Sequence, residues 1–186
     1  MNMFRDLTRQ ENTLIRREFN RWGIYNYIQD KVFVIKESQN NNNELFVIPL
    51  ILKDFIYCPY SCYGGVQIGV LQKKNFLPSI TFFSIVAKYG NSFLYVIVSC
   101  NAEKLILYGK DIFGESIIYA SPDIKQNSVI LILNKSKEFL GIGRARYQAT
   151  RIKENGKVTI NTLFDLGMYL RCEKKIKCIH KILNKL

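Results

Sequence analysis

Apolar residues change their spacing several times along this chain, and each change predicts an element. Leu14, Ile15, Phe19 and Trp22 recur at helical spacing and Gly23 ends the run, which predicts a helix over residues 9–22. Just before it, Thr8-Arg9-Gln10-Glu11 has the form of a capping box, in which a hydroxyl and a carboxylate satisfy amides left free in the first turn. Arg9, Arg16, Arg17 and Arg21 fall on the outer, solvated face. Lys31–Lys36 and Glu44–Ile48 are β-branched and aromatic runs on either side of a Ser-Gln-Asn-rich loop, the pattern of a hairpin. Pro49 opens a short helix running to about Tyr57. Val66–Gln72 reads as a strand, Lys73-Lys74-Asn75 as a turn, and Ile80–Tyr89 as an apolar helix ended by Gly90.

After residue 92 the texture becomes one of short strands and turns. Phe93–Ser99 predicts a buried strand, Glu103–Gly109 a helical turn closed by glycine, and Ile112–Tyr119 an extended run entering the turn at Ser121-Pro122-Asp123. The centre of the chain is Ser128–Arg151. There the apolar run Val129–Leu133, the turn Lys135-Ser136-Lys137-Glu138 and a second run Phe139–Tyr147 predict an antiparallel hairpin. A period of two puts Leu140, Ile142, Arg144 and Arg146 on one face, ending in two guanidiniums about 7 Å apart. Phe139, Gly141, Gly143, Ala145 and Tyr147 fall on the other. Paired glycines in a strand mark either a tight bend in a small barrel or a surface that a ligand approaches. Val158–Asn161 predicts another short strand after a turn at Lys153–Lys157. Ile176, Ile179, Leu183 and Leu186 lie on one stripe of a basic amphipathic tail, residues 173–186. Regularly spaced short strands indicate a partly closed barrel over residues 93–172, following a small α/β domain over residues 1–92; the fold class is α+β.

Charge sharpens this picture. The 27 Lys and Arg outnumber 15 Asp and Glu, a net charge of +12, and such a field favours polyanionic partners. Up to Ser92 there are 11 basic and 7 acidic residues, and beyond it 16 and 8, so the polyanion surface is expected in the second half. No long uncharged apolar run occurs and the first 22 residues are charged throughout, which predicts a soluble intracellular protein. Cys58, Cys62, Cys100, Cys172 and Cys178 show no repeated metal-ligand spacing, and reduced thiols are expected, with no metal and no cofactor. His180, the single histidine, sits in the lysine-rich tail, so histidine-based catalysis is not expected. Gly64-Gly65-Val66-Gln67-Ile68-Gly69 has neither dinucleotide nor P-loop spacing and reads as a strand entry.

Three motifs, Leu107-Tyr108-Gly109-Lys110-Asp111, Leu140-Gly141-Ile142-Gly143-Arg144-Ala145 and Asp165-Leu166-Gly167-Met168-Tyr169-Leu170-Arg171, in this order resemble a PUA domain, an RNA-binding pseudobarrel. With Asn101-Ala102-Glu103, the Ile80–Tyr89 segment and the Leu7–Glu11 helix start, the chain resembles the nuclear-import-seven family of ribosome-biogenesis factors, archaeal type. That resemblance implies an α/β N-terminal domain followed by a PUA-type β pseudobarrel, and a non-catalytic factor in large-subunit rRNA maturation. Implied partners are pre-rRNA, including uridine-rich single strands, and assembly proteins docking on the N-terminal domain. The matching basic positions are Arg144, Arg146, Arg151 and Lys153, and Lys135 and Lys137 are expected to add charge nearby. Tyr147 is expected to pack in the core rather than stack a base. A monomer in the cytoplasm, or in the nucleolus of a eukaryote, completes the expectation; a protein-interaction adaptor and an RNA-modifying enzyme are the alternatives.

Overall fold

A computed structural model describes residues 4–37, 42–56, 64–72 and 75–171. The chain divides into two compact units, Met1–Ser92 and Phe93–Leu186. The predicted tail and the Lys73-Lys74 turn lie outside the described residues.

The first unit is built on a five-stranded antiparallel sheet in the order β1-β2-β3-β4-β5, with strands β1 (Phe4–Asp6), β2 (Lys31–Lys36), β3 (Asn43–Pro49), β4 (Val66–Gln72) and β5 (Asn75–Pro78). Helix α1 (Arg9–Arg21) starts at the predicted capping box and stops where Gly23 takes a φ of +67°. Its apolar stripe buries Ile15 and Phe19. The Phe19 ring meets Phe33 of β2 and Phe82 of helix α3 (Ile80–Tyr89) edge to face at 5.5 and 5.4 Å, the preferred geometry of aromatic rings. Pro49 precedes a 3-10 turn and the single helical turn α2 (Lys53–Ile56).

Sequence periodicity misses β5. Four residues ending in proline carry little alternation, and the strand exists because β4 supplies its partners, Gly69 opposite Pro78 and Leu71 opposite Phe76. Gly69 is required there, since a Cβ would strike the Phe76 ring and the Leu77 carbonyl. The glycine-rich stretch is thus a strand entry, as expected.

At the start of α1 an ion pair locks the N-terminus of the unit. Arg5 donates to both Glu11 oxygens at 2.8 and 2.9 Å, and the Thr8 amide donates to Glu11 at 2.8 Å. The Arg5 hydrogen bonds hold the Glu11 carboxyl down at about 2, below its unfolded value of about 4.3. A depressed carboxylate contributes stability that is complete above the unfolded pKa and lost as pH falls through the folded one. Urea midpoints should therefore fall between pH 5 and pH 2, and Glu11→Gln should flatten that fall while costing about 1–2 kcal/mol at pH 7, allowing for solvent screening. An unchanged pH profile in that variant removes the pair as the cause.

The second unit is a six-stranded sheet in the order β7-β11-β10-β9-β6-β8. Its strands are β6 (Tyr95–Val98), β7 (Ile112–Phe113), β8 (Ile117–Ala120), β9 (Val129–Leu133), β10 (Phe139–Ala145) and β11 (Val158–Asp165), and only the β6/β9 pairing is parallel. Helix α4 (Cys100–Leu107) turns its buried Ala102 and Ile106 onto a core of Val96, Val98, Ile130, Ile132 and Ile160. Gly109, at φ +73°, ends the helix, and a last turn, α5 (Met168–Arg171), follows β11.

Several boundaries differ from the sequence reading, the larger ones in this unit. Ile112–Tyr119 is two strands, because Gly114 turns where a Cβ would collide with the Glu154 carbonyl. Helix α4 begins three residues earlier, at Cys100, and β11 runs on from Asn161 to Asp165 along β10. Most consequential is β10, which ends at Ala145 and whose register shifts against β9 between Phe139 and Gly141 and against β11 between Ile142 and Gly143. Each bulge breaks the two-residue alternation. The predicted faces are therefore corrected: Leu140, Gly143 and Ala145 belong to the interior beside Ile130 and Ile160, while Ile142 and Arg144 pair with Leu131 and Val129 on the other face. Gly143 makes room for Ile160 and Gly141 for the Phe164 backbone, the close approaches that a tight bend in a small barrel requires.

Candidate nucleic-acid interface

One end of β10 and β11 gathers the polar residues of the second unit. Arg146, just past β10, donates from its amide to the Thr159 carbonyl at 2.8 Å, and this carries its side chain to the β11 side. Its Nε donates to Asn161 Oδ1 at 2.6 Å, and its Nη2 lies 4.0 Å from Asp111. Asn161 Nδ2 donates to Asp111 at 3.1 Å, and the Thr162 amide donates to the same carboxylate at 2.9 Å. The Thr162 hydroxyl donates to the Lys110 carbonyl at 2.8 Å. This network ties the α4–β7 loop, with its exposed Tyr108, to the strand ends.

Arg144 lies directly opposite Asn161 on the same face. Its Nε is buried without an acceptor, and no ion pair involves it among the described residues. An unsatisfied buried donor of this kind costs about 1–3 kcal/mol. Arg144 is the one predicted site residue whose bonding capacity stands open in this way.

The loop leaving β10 holds a second basic group. Arg151 donates to Glu154 at 2.8 and 3.3 Å, Lys157 reaches the same carboxylate at 2.8 Å, and the Arg151 guanidinium lies 5.1 Å from the centre of the half-buried Tyr147 ring. Tyr147 thus supports Arg151 as well as packing, a correction to the expected core position that follows from β10 ending two residues before it. Hydrogen bonds from Arg151 and then Lys157 hold the Glu154 carboxyl down at about 2. Lys153 points elsewhere, donating to the Ile118 carbonyl of edge strand β8 at 2.6 Å.

Lys135 and Lys137 do not join this group. They sit in the exposed β9–β10 turn, Lys137 with φ +61°, at the far end of β10. Seven residues of strand separate Lys137 from Arg144, about 20 Å, so the expectation that they add charge nearby is corrected. Asp111, Asn161, Lys110 and Lys157 were missed as site residues. Lys110 and Asp111 stood in a motif that spoke only for the fold, and no local signal links Asn161 to Arg146.

Further along β11, where Asp165 pairs with Gly141, lies a half-buried ion pair. Arg171 donates from Nη2 to both Asp165 oxygens at 2.9 and 2.8 Å, with Asp165 only 3% exposed. A Cβ on Gly109 would stand 3.2 Å from Arg171 Nη2, and one on Gly167 would strike the Leu107 carbonyl, so both glycines of the motifs make space for the pair. No group of three His, Cys, Asp or Glu side chains placed to hold a metal occurs among the described residues; Cys58, Cys62, Cys172, Cys178 and His180 lie outside them. No helix among them is long and apolar enough to cross a membrane.

The UPF0113 PUA domain profile matches residues 94–174, the span that holds this site. A UPF0113 protein of Archaeoglobus fulgidus is 30% identical over 174 residues, covering 92% of this chain and 96% of that protein. The chain belongs to the UPF0113 family. A second UPF0113 protein, from Aeropyrum pernix, is 25% identical over 69% of this chain and 68% of its own length. The structure of a conserved PUA domain protein from Thermoplasma acidophilum superposes with a TM-score of 0.62 at 18% identity, covering 95% of this chain and 99% of that one. The UPF0113 relatives and this structural neighbour are archaeal proteins, and the fold is the PUA pseudobarrel with a second, antiparallel sheet unit. PUA domains are in general RNA-binding modules, and the UPF0113 chain presents its Arg144–Arg146 end on such a module.

Proposed function

We propose that this UPF0113 chain binds single-stranded RNA through the Arg144, Arg146 and Arg151 end of its PUA domain and acts, without catalysis, in maturation of large-subunit ribosomal RNA, as the resemblance to the nuclear-import-seven family implies. The observation that carries the reading is the Arg144 guanidinium, whose Nε is buried and unpartnered beside Arg146 on a domain of RNA-binding type. Arg144 and Arg146 present planar forks suited to phosphate, while Lys110 and Lys157 add point charges. Asp111 and Glu154 keep the fork geometry in place before RNA arrives and are the groups phosphate displaces.

Four to six neutralised phosphates correspond to a log–log salt slope of roughly −3 to −4 for a single strand. Fluorescence polarisation of a labelled oligouridylate with the full chain, over a salt series, is expected to show that slope and weaker binding to duplex RNA. Binding insensitive to salt rules this surface out. The ribosomal part of the reading rests on crosslinking in cells, with precursor rRNA expected among the attached sequences; random transcripts in its place refute it. We further take the chain to be a cytoplasmic monomer.

One feature favours the adaptor reading as a second role. Leu50, Ile51, Leu52 and Phe55 of the first unit are 63%, 82%, 46% and 73% exposed, and such a contiguous apolar stretch marks a protein contact. Pull-downs after nuclease treatment retain an assembly protein if this stretch docks one, and lose it when Ile51→Asp is introduced.

A further inference from the structure

The first unit contains a cleft of about 470 Å³ between α1, the Tyr25–Ile28 turn, the start of β2 and α2, within the roughly 300–1,000 Å³ usual for small-ligand sites. Three cations reach it from three separate elements: Arg16 from α1, Lys31 from β2 and Lys53 from α2. None of the three forms an ion pair among the described residues, and Asp6 is the single carboxylate lining the cleft. Arg16 is steered by a hydrogen bond from its Nε to Asn12 at 2.8 Å, which leaves both terminal nitrogens to a ligand. Lys31 is held with its ammonium 5.9 Å from the Tyr27 ring centre. The lining also includes Tyr25, 40% exposed, and the amide of Gln29.

We infer that this cleft binds a nucleotide unit, its phosphate between Arg16, Lys31 and Lys53 and its base against Tyr25 with Gln29 at the base edge. Converging unpaired cations select an oxyanion, and an exposed ring on an apolar wall selects a flat partner. An acidic peptide satisfies the first condition and not the second. The site goes beyond the PUA reading, since it lies in the other unit and shares no residue with that surface. Of the four arginines that periodicity placed on the solvated face of α1, Arg16 is the one with a site. The nucleotide can be free or one link of a strand.

The test uses the full chain carrying Arg144→Ala and Arg146→Ala, so that the PUA surface no longer contributes, with labelled uridine monophosphate and a labelled oligouridylate as probes. Adding Lys31→Ala and Lys53→Ala is expected to weaken binding of the probe tenfold or more. Tyr25→Ala should weaken it further where Tyr25→Phe does not, a contrast that separates stacking from misfolding. Tighter binding of the oligonucleotide identifies a strand site and equal binding a free-nucleotide site, and both support the inference. Affinities unmoved by the Lys31 and Lys53 changes overturn it, as does displacement of the probe by poly-glutamate at equal charge. Because the same cleft substitutions are also made in the otherwise unaltered chain, a failure of the PUA reading leaves this result readable.

Discussion

Replacing Arg144 and Arg146 together by alanine is expected to lower affinity for single-stranded RNA by about 100-fold, on the basis of about 1.5–3 kcal/mol for each charge-assisted hydrogen bond and allowing for non-additivity between neighbours. The salt slope should become shallower by about 1.4, two phosphates at about 0.7 each. Folding is expected to survive. Arg146 is exposed, and its partners Asn161 and Asp111 keep each other when it is gone. Arg144 has a buried Nε with no acceptor, so its truncation removes a cost as well as a packed stem. Polarisation titrations at two salt concentrations, with circular dichroism as the folding control, check both numbers. Affinity within threefold of the unaltered chain excludes this end of the barrel. The single lysine substitutions are informative beside this variant: Lys135→Ala and Lys137→Ala, about 20 Å away, should change affinity far less.

Asp165→Ala is expected to be the most destabilising single change in the second unit, by about 3 kcal/mol and at most about 5. Asp165 accepts both bonds from Arg171 while being 3% exposed, and the surrounding space is fitted to the pair by Gly109 and Gly167. Removing the carboxylate leaves a guanidinium facing a small void. Arg171 keeps a third of its side chain in solvent, which places the loss toward the lower figure, because water recovers part of the charge. Removing both partners should cost less than the sum of the single changes, since the second substitution relieves the charge left by the first. Urea midpoints for the two single variants and the double variant measure the coupling. If Asp165→Ala stays within 0.5 kcal/mol of the parent, the pair is incidental to stability. RNA affinity in this variant reports separately whether the Asp111 network survives when its neighbouring loop loosens.

Much of the fold is legible without coordinates, and the reasons are local. The capping box at Thr8 and Glu11 and the helix Ile80–Tyr89 between Ser79 and Gly90 depend on groups within four residues of one another, so spacing suffices. The PUA motifs are legible too, because Gly109, Gly141 and Gly167 each stand where backbone or an ion pair leaves no room for a side chain. Strand β5 is not legible, because four residues without alternation become a strand only when Gly69 lets Phe76 lie across β4. The site is legible in part. Clustering of Arg144 and Arg146 follows from the sequence, whereas the separation of Lys135 and Lys137 from them follows from the direction of the hairpin.

The amino-acid sequence alone determined the two-part organisation, most of the helices and strands, the concentration of positive charge after Ser92 and the kinship with PUA domains. Only the tertiary structure decided which side chains share a surface. The register shift between Phe139 and Gly141 puts Leu140 on the face of Gly143 and Ala145, and the partners that set Arg146 in place come from far along the chain, Asn161 at a separation of 15 residues and, beyond it, Asp111, which is 50 residues from Asn161. Periodicity is a property of consecutive residues, while these contacts arise from how the strands are laid beside one another, which no local pattern encodes.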